Sequence, residues 1–231
     1  MTRLHRTHLD LSRPDAPELL HNFAPSGCAV LHSVPTIEGG GDRTALAALA
    51  GLASRIVYLS STSVYGDAEF VDHTTPAVAG TPRIATERAV QNGPWSSLVL
   101  RPAAIYGPGR GAHVSMQAGT FRLFGAGLNY VSRIHVDDLA ALAEAALLSD
   151  ANGAWPAADD EPCESREIAA FCAELLHVPM PRPAAASELH RTRRANRRVD
   201  GTAIRRLLGV ELRYPSYRTG IPAALAATGV K

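Results

Sequence analysis

Arg55-Ile-Val-Tyr-Leu-Ser60-Ser61-Thr62-Ser63-Val64-Tyr65-Gly66 passes from an apolar, β-branched run straight into a cluster of hydroxyls. Residues 55–60 read as a strand buried on both faces, the pattern of a parallel sheet covered by helices. In an open α/β sheet the ligand crevice lies outside the carboxyl ends of the strands, so Ser60, Ser61 and Thr62 fall where substrate would bind. Ser and Thr also satisfy turn amides after a strand, and a Ser-Ser-x-Ser run taken alone has that plainer meaning.

Working outward, further strand-like runs stand at 4–11, 28–34, 97–101 and 153–157. Between them lie alanine- and leucine-rich stretches of helical period at 14–22, 42–54, 82–91, 113–124, 138–149, 165–176, 185–198 and 201–208. This alternation predicts an α/β fold with a doubly wound parallel sheet. Asp138 and Ser165 are placed to cap the helices they open, with Glu167 favourable at the positive end of the second. Pro and Gly gather at 107–111 and 178–183 as loops, the second leading into a smaller C-terminal lobe.

Bulk composition narrows the function classes. The 231 residues can bury a sizeable core, and a net charge of +1 gives no global pull toward nucleic acid or an anionic membrane. Three cysteines, Cys28, Cys163 and Cys172, form no C-x-x-C, which argues against a disulfide framework or a thiolate metal site and for a reducing cytoplasm. Apolar stretches are broken by Arg, His or Asp before membrane-spanning length, and residues 1–6 lack a signal-peptide core. The basic run at 190–198 reads as a solvated helix face in preference to a nucleic-acid site.

The decisive context is a series of motifs in order: Ser60-Ser-Thr-Ser-Val-Tyr-Gly66, Leu100-Arg-Pro-Ala-Ala-Ile-Tyr-Gly-Pro-Gly109, Arg133-Ile-His-Val-Asp-Asp-Leu-Ala140, Ala157-Ala-Asp-Asp-Glu-Pro162, and Leu207-Leu-Gly-Val with Tyr214-Pro-Ser-Tyr. Together, from about Leu9 onward, they resemble the extended short-chain dehydrogenase/reductase family, also called the NAD-dependent epimerase/dehydratase family. The resemblance implies a Rossmann-like core over 1–158 with a lobe insertion near 106–134, and a small substrate lobe over 159–231. It implies NAD or NADP as cofactor and a nucleotide-sugar or related carbonyl/alcohol metabolite as substrate. By the same resemblance Ser61 is the catalytic hydroxyl. Asp10, Val34, Pro35, Ser60, Arg83, Arg101 and Pro102 line the cofactor, and Thr62, Tyr65, Tyr106 and Arg133 line the substrate.

Two departures qualify this. The family's acid/base Tyr and its Lys partner fall at Ala79 and Arg83, and the one lysine of the chain is Lys231. A methyl group transfers no proton, and a guanidinium keeps its charge but not the geometry of an ammonium. This resembles an atypical subgroup of the family without the Tyr-x-x-x-Lys pair. No Gly-x-x-Gly-x-x-Gly turn precedes Leu9, and Gly39-Gly40-Gly41 follows the strand at 28–34, where the family has a loop along the cofactor. The chain therefore aligns from the family's third strand, without its first β-α-β unit, and an open edge on strand 28–34 invites cover by residues 7–11, by upstream sequence or by a second subunit in a homodimer. Three readings follow: an enzyme with an unusual acid/base, a non-catalytic dinucleotide- or metabolite-binding protein, or a truncated member with little cofactor affinity. His135, Asp159 and Asp160 read as structural, and no metal is expected.

Overall fold

The computed structural model describes residues 10–11, 13–37, 40–189 and 194–229. In chain order the described elements begin with α1 (Ala16–His21), β1 (Cys28–His32), α2 (Gly41–Ala48), β2 (Ala53–Leu59), β3 (Phe70–Val71), α3 (Pro82–Gln91), β4 (Ser96–Pro102) and β5 (Ala104–Tyr106). Next come α4 (Ala112–Gln117), β6 (Leu123–Phe124), β7 (Tyr130–Val131), β8 (Arg133–His135), α5 (Val136–Leu148) and β9 (Gly153–Ala157). The last are β10 (Cys163–Glu164), α6 (Ser165–Leu176), β11 (Pro183–Ala184), β12 (Arg198–Val199), α7 (Thr202–Leu208) and α8 (Tyr217–Ala227).

The central sheet has the strand order β1-β2-β4-β9, and β2 lies parallel between β1 and β4. This is the parallel α/β sheet that the alternation of runs predicted, with the Rossmann-like character that the resemblance implied. Residues divide into two compact units, the first from Met1–Val64, Ala77–Arg101 and Ala143–Trp155, the second from Tyr65–Pro76, Pro102–Leu142 and Pro156–Lys231.

In the first unit, Ile56 and Tyr58 of β2 and Val99 of β4 pack with Leu46 of α2 and Val90 of α3. Arg55, a charged residue in a buried strand, is accommodated because its guanidinium donates to the carbonyls of Ala146 and Ala151, each at 2.7 Å, where α5 runs out of backbone donors. A β-carbon on Gly41, which opens α2, would overlap the carbonyl of Leu11. In the second unit, Tyr106, Met116, Cys163, Ile168, Cys172, Tyr217 and Ile221 form the core, framed by two-stranded pairings of β5 with β8, β7 with β10, β6 with β11 and β3 with β12. Gly220 of α8 lets that helix lie against the ring of Tyr106, where any side chain would collide with the phenol.

Several sequence expectations are corrected. The helix expected over 113–124 stops at Gln117, because Gly119 turns left-handed at φ +63° and Thr120 and Phe121 both donate back to Ser115. The helix expected over 42–54 ends at Ala48, and β2 already begins at Ala53 after a turn at Gly51. Asp138 does not cap α5. That helix starts at Val136, and the Asp138 carboxylate instead accepts from the backbone N–H groups of Arg213 and Tyr214 at 2.7 and 3.0 Å. Ser165 is likewise inside its helix, whose cap is a Glu164/Glu167 box, and its hydroxyl donates to Asn129 O.

Over 185–198 the described residues give a 3₁₀ turn at Ala186–Glu188 and a strand at Arg198–Val199; residues 190–193 lie outside the description. The expected strand over 4–11 also lies outside it, except for Asp10 and Leu11, which form no strand. Helix α8 was not anticipated. Pro222 in its interior reads as a helix breaker, but Ser216 caps the start and Tyr217, Ile221, Ala224 and Leu225 bury one face.

Candidate functional site

Of the expected residues of the first unit, Val34, Pro35, Ser61 and Thr62 follow the carboxyl ends of β1 and β2. Ser61 follows β2 half-buried, and its Oγ accepts from Ser63 N–H at 3.1 Å. That contact fixes the oxygen in a short turn while leaving the hydroxyl proton for a ligand. Thr62 opens the 3₁₀ turn Thr62–Tyr65, half-buried. Val34 and Pro35 lie in the loop after β1, with Val34 half-buried and Pro35 exposed. Asp10 is half-buried and its carbonyl accepts from Arg13 N–H. Ala79 is exposed, one turn of chain before α3, and Arg83 is half-buried in the first turn of that helix.

Ser60 and Arg101 face inward and share a single partner. Ser60 Oγ donates to Glu87 Oε1 at 2.5 Å, and the Arg101 guanidinium engages both oxygens of Glu87, at 3.1 and 2.6 Å. All three are buried. The carboxylate thus ties α3 to β2 and β4, directly beneath the strand end that carries Ser61. Nothing in the sequence marks Glu87; its burial and bidentate geometry are visible only in the fold. Asp42 plays a parallel part, accepting from Ile37 N–H and from Thr86 Oγ at 2.7 Å and so joining α2 to α3.

Beside these stand groups that sequence reasoning did not single out. His32 Nε2, Thr36 Oγ and Tyr58 Oη are buried without a hydrogen-bond partner among the described residues. The rings of His32 and Tyr58 lie 5.1 Å apart. Burial pushes the His32 imidazole down to about 4 despite the pull of Asp42, so it is neutral at pH 7. Burial also raises the Tyr58 phenol, outweighing the nearby Arg83 guanidinium and Thr36 hydroxyl, so the phenol stays protonated.

The other expected residues belong to the second unit and are occupied within it. Tyr65 and Pro102 are buried. Tyr106 is buried and its hydroxyl donates to Ser216 O at 3.2 Å. The Arg133 guanidinium donates to Val131 O at 2.8 Å and to Cys163 Sγ at 3.1 Å and faces the Tyr217 ring. His135 accepts from Asp137 N–H and packs on Tyr214 at 4.0 Å between ring centroids. Asp160 pairs with Arg205, whereas Asp159 is buried with both carboxyl oxygens unpartnered among the described residues. Burial lifts Asp159 to about 8, against the pull of Arg133. Among the described residues no cluster of three or more His, Cys, Asp or Glu is arranged for a metal ion, and no helix is long and apolar enough to cross a membrane.

Comparison with known proteins places the fold. The fold superposes on a protein from Methylobacillus flagellatus assigned to the NAD-dependent epimerases/dehydratases, with 26% identity and a TM-score of 0.72, covering 95% of this chain and 82% of that one. The chain thus has the fold of the NAD-dependent epimerases/dehydratases, as the motif series implied. Its fold also matches MoeE5 in complex with UDP-glucose and NAD, at 18% identity and a TM-score of 0.76, covering 99% of this chain and 85% of that one. In sequence it is 32% identical over 169 residues to a Streptomyces 3-diazoavenalumate denitrifying reductase, a match that takes in 66% of this chain. It spans 55% of that enzyme's length. No family model matches the chain.

Proposed function

We propose that this chain binds NAD or NADP at the carboxyl ends of β1 and β2 and serves hydride transfer on a small metabolite. The three polar atoms of His32, Thr36 and Tyr58 without a partner among the described residues support that reading, since each is costly to leave unmade and the three residues stand at the carboxyl ends of β1 and β2 or just after them. Arg83 would hold the ribose end, and Val34 and Pro35 would line the nicotinamide. A bound reduced nicotinamide supplies a hydride. The chain's own residues supply orientation, with Ser61 Oγ directed at the reacting group of the substrate.

The observation that carries the substrate reading is the methyl group of Ala79 where the family places its phenol. Reduction of a carbonyl needs a proton at the oxygen, and residue 79 has none to give. An electron-poor acceptor that takes hydride without protonation removes that need. A diazonium carbon is one: the C–H bond forms from the hydride pair, the C–N bond breaks, and its electrons leave with N₂. The similarity to a diazo-acting reductase favours this acceptor class. A second reading, a nucleotide-sugar substrate, is favoured by the fold match to MoeE5 with UDP-glucose and NAD.

The test incubates the purified chain with NADH or NADPH and either an aryl diazonium salt or UDP-glucose, following nicotinamide absorbance and N₂ release, with Ser61→Ala alongside. Nicotinamide oxidation matched to N₂ release and reduced in Ser61→Ala is the expected result. Turnover of UDP-glucose alone would replace the first reading with the second. Nucleotide binding with neither turnover would leave a non-catalytic binding protein, and a folded chain that binds neither nucleotide would overturn the proposal.

A further inference from the structure

Three segments of the second unit meet around Arg198. Strand β12 runs parallel to β3 with Arg198 opposite Phe70, and a bridge joins Arg197 to Val131 of β7. The guanidinium carbon of Arg198 stands over two rings, 3.5 Å from the centre of Tyr130 and 4.7 Å from that of Phe70. Cation–π contact holds a guanidinium by its flat faces and leaves the in-plane N–H groups for hydrogen bonds. None of those donors has a partner among the described residues. Neighbouring arginines differ: Arg197 donates to the carbonyls of Gly66 and Ala68, and Arg205 pairs with Asp160. The acid beside Phe70, Glu69, is taken by Asn196 Nδ2 at 2.9 Å. Backbone and Asn196 contacts fix the frame: Tyr130 N–H donates to Asn196 Oδ1 at 2.8 Å, Arg197 N–H to Tyr130 O at 2.8 Å and Arg198 N–H to Glu69 O at 2.7 Å. Phe70 keeps 68% of its surface exposed, and the Tyr130 hydroxyl has no partner among the described residues.

We propose that Arg198, held between Phe70 and Tyr130, is a binding site for the carboxylate of a small aromatic acid. A guanidinium presents parallel N–H groups that match the two oxygens of a carboxylate, and a cation already fixed by two rings loses little freedom when the anion arrives. The exposed Phe70 ring, in contact with the cation, gives an aromatic body an apolar surface to cover. That surface selects an aryl acid over acetate or inorganic phosphate. The site lies within the second unit and does not rest on the nicotinamide reading above, so neither falls with the other.

The experiment titrates the purified chain with benzoate, without nucleotide, and follows backbone NMR shifts, with benzamide, acetate and inorganic phosphate as comparison probes and a thermal melt of every variant. Saturable benzoate binding is expected, with shifts concentrated at residues 69–71, 129–131 and 196–199 and with the three comparison probes weaker. Arg198→Gln removes the fork and is expected to weaken benzoate about 10- to 100-fold, the range of a lost hydrogen bond to a charged group. Arg198→Lys keeps the charge without the fork and is expected to weaken it about 5-fold or more. Phe70→Leu is expected to weaken benzoate and leave acetate unchanged. No saturable binding, equal binding of benzamide, or phosphate bound more tightly than benzoate would overturn the site. So would an Arg198→Gln variant that melts lower yet binds benzoate as the parent does, the mark of a stack that only stabilises the fold. If Arg198→Gln fails to fold, Arg198→Lys is judged by the same comparison, and unchanged benzoate affinity there overturns the site.

Discussion

Replacing Asp159 by Asn should flatten a pH dependence that the fold builds into the second unit. Both carboxyl oxygens of Asp159 are buried without a hydrogen-bond partner among the described residues, and Arg133, the cation that pulls on it, is engaged with Val131 and Cys163. Burial therefore raises the group from 3.8 to about 8. In the folded chain it holds its proton where the unfolded chain has lost it, so its contribution is fully present below the unfolded value and is lost as pH rises toward 8. A shift of about 4 units corresponds to roughly 6 kcal/mol once both states are ionised, and to about 4 kcal/mol at pH 7. Asn carries a constant penalty or gain from its carboxamide but does not titrate.

The difference in stability between Asp159→Asn and the parent should therefore shift by about 4 kcal/mol in favour of the variant between pH 5 and pH 9. At ~2–4 °C per kcal/mol for a chain of this size, that is a relative gain in melting temperature of roughly 10 °C. Melts of the two proteins in matched buffers across this range read it directly. Parallel curves, with a constant offset at every pH, would refute the argument that an unpaired buried carboxyl stays protonated here.

Two other substitutions probe the frame around the site. Glu87→Ala leaves the Arg101 guanidinium buried without its counter-charge and should cost about 3–5 kcal/mol in denaturant unfolding; a loss below about 1 kcal/mol would show that the tie between α3, β2 and β4 is not needed. Gly220→Ala puts a methyl group into the Tyr106 phenol and should cost about 1–3 kcal/mol through overpacking. Pairing it with Tyr106→Ala, which opens the space, should give less than the sum of the two single losses, and simple addition of the losses would argue against that contact.

The sheet was legible because β2 and β4 are buried on both faces, and that demand leaves continuous apolar runs in the sequence, as at Ile56-Val57-Tyr58 and Leu98-Val99-Leu100. The two-residue strands of the second unit were not, since pairs such as Phe70–Val71 with Arg198–Val199 are fixed by contacts between segments far apart in the chain. Helix α8 hid behind Pro222, whose local meaning was overridden by the cap at Ser216 and a buried face. Of the candidate site, the positions of Ser61 and Ala79 came from the resemblance carried by the motif series, and their roles stand as proposals. The sharing of Glu87 by Ser60 and Arg101, the enclosure of Arg133 and the unpaired cluster around Tyr58 could not, because each depends on which face of a strand meets which turn of a helix.

The central claim is that the chain holds a nicotinamide dinucleotide, and calorimetric titration of the purified protein with NADH and NADPH tests it most directly. The account expects saturable binding in the micromolar range by a chain that also melts cooperatively. A cooperatively folded chain giving no binding heat, and no rise in melting temperature with either nucleotide, would contradict it.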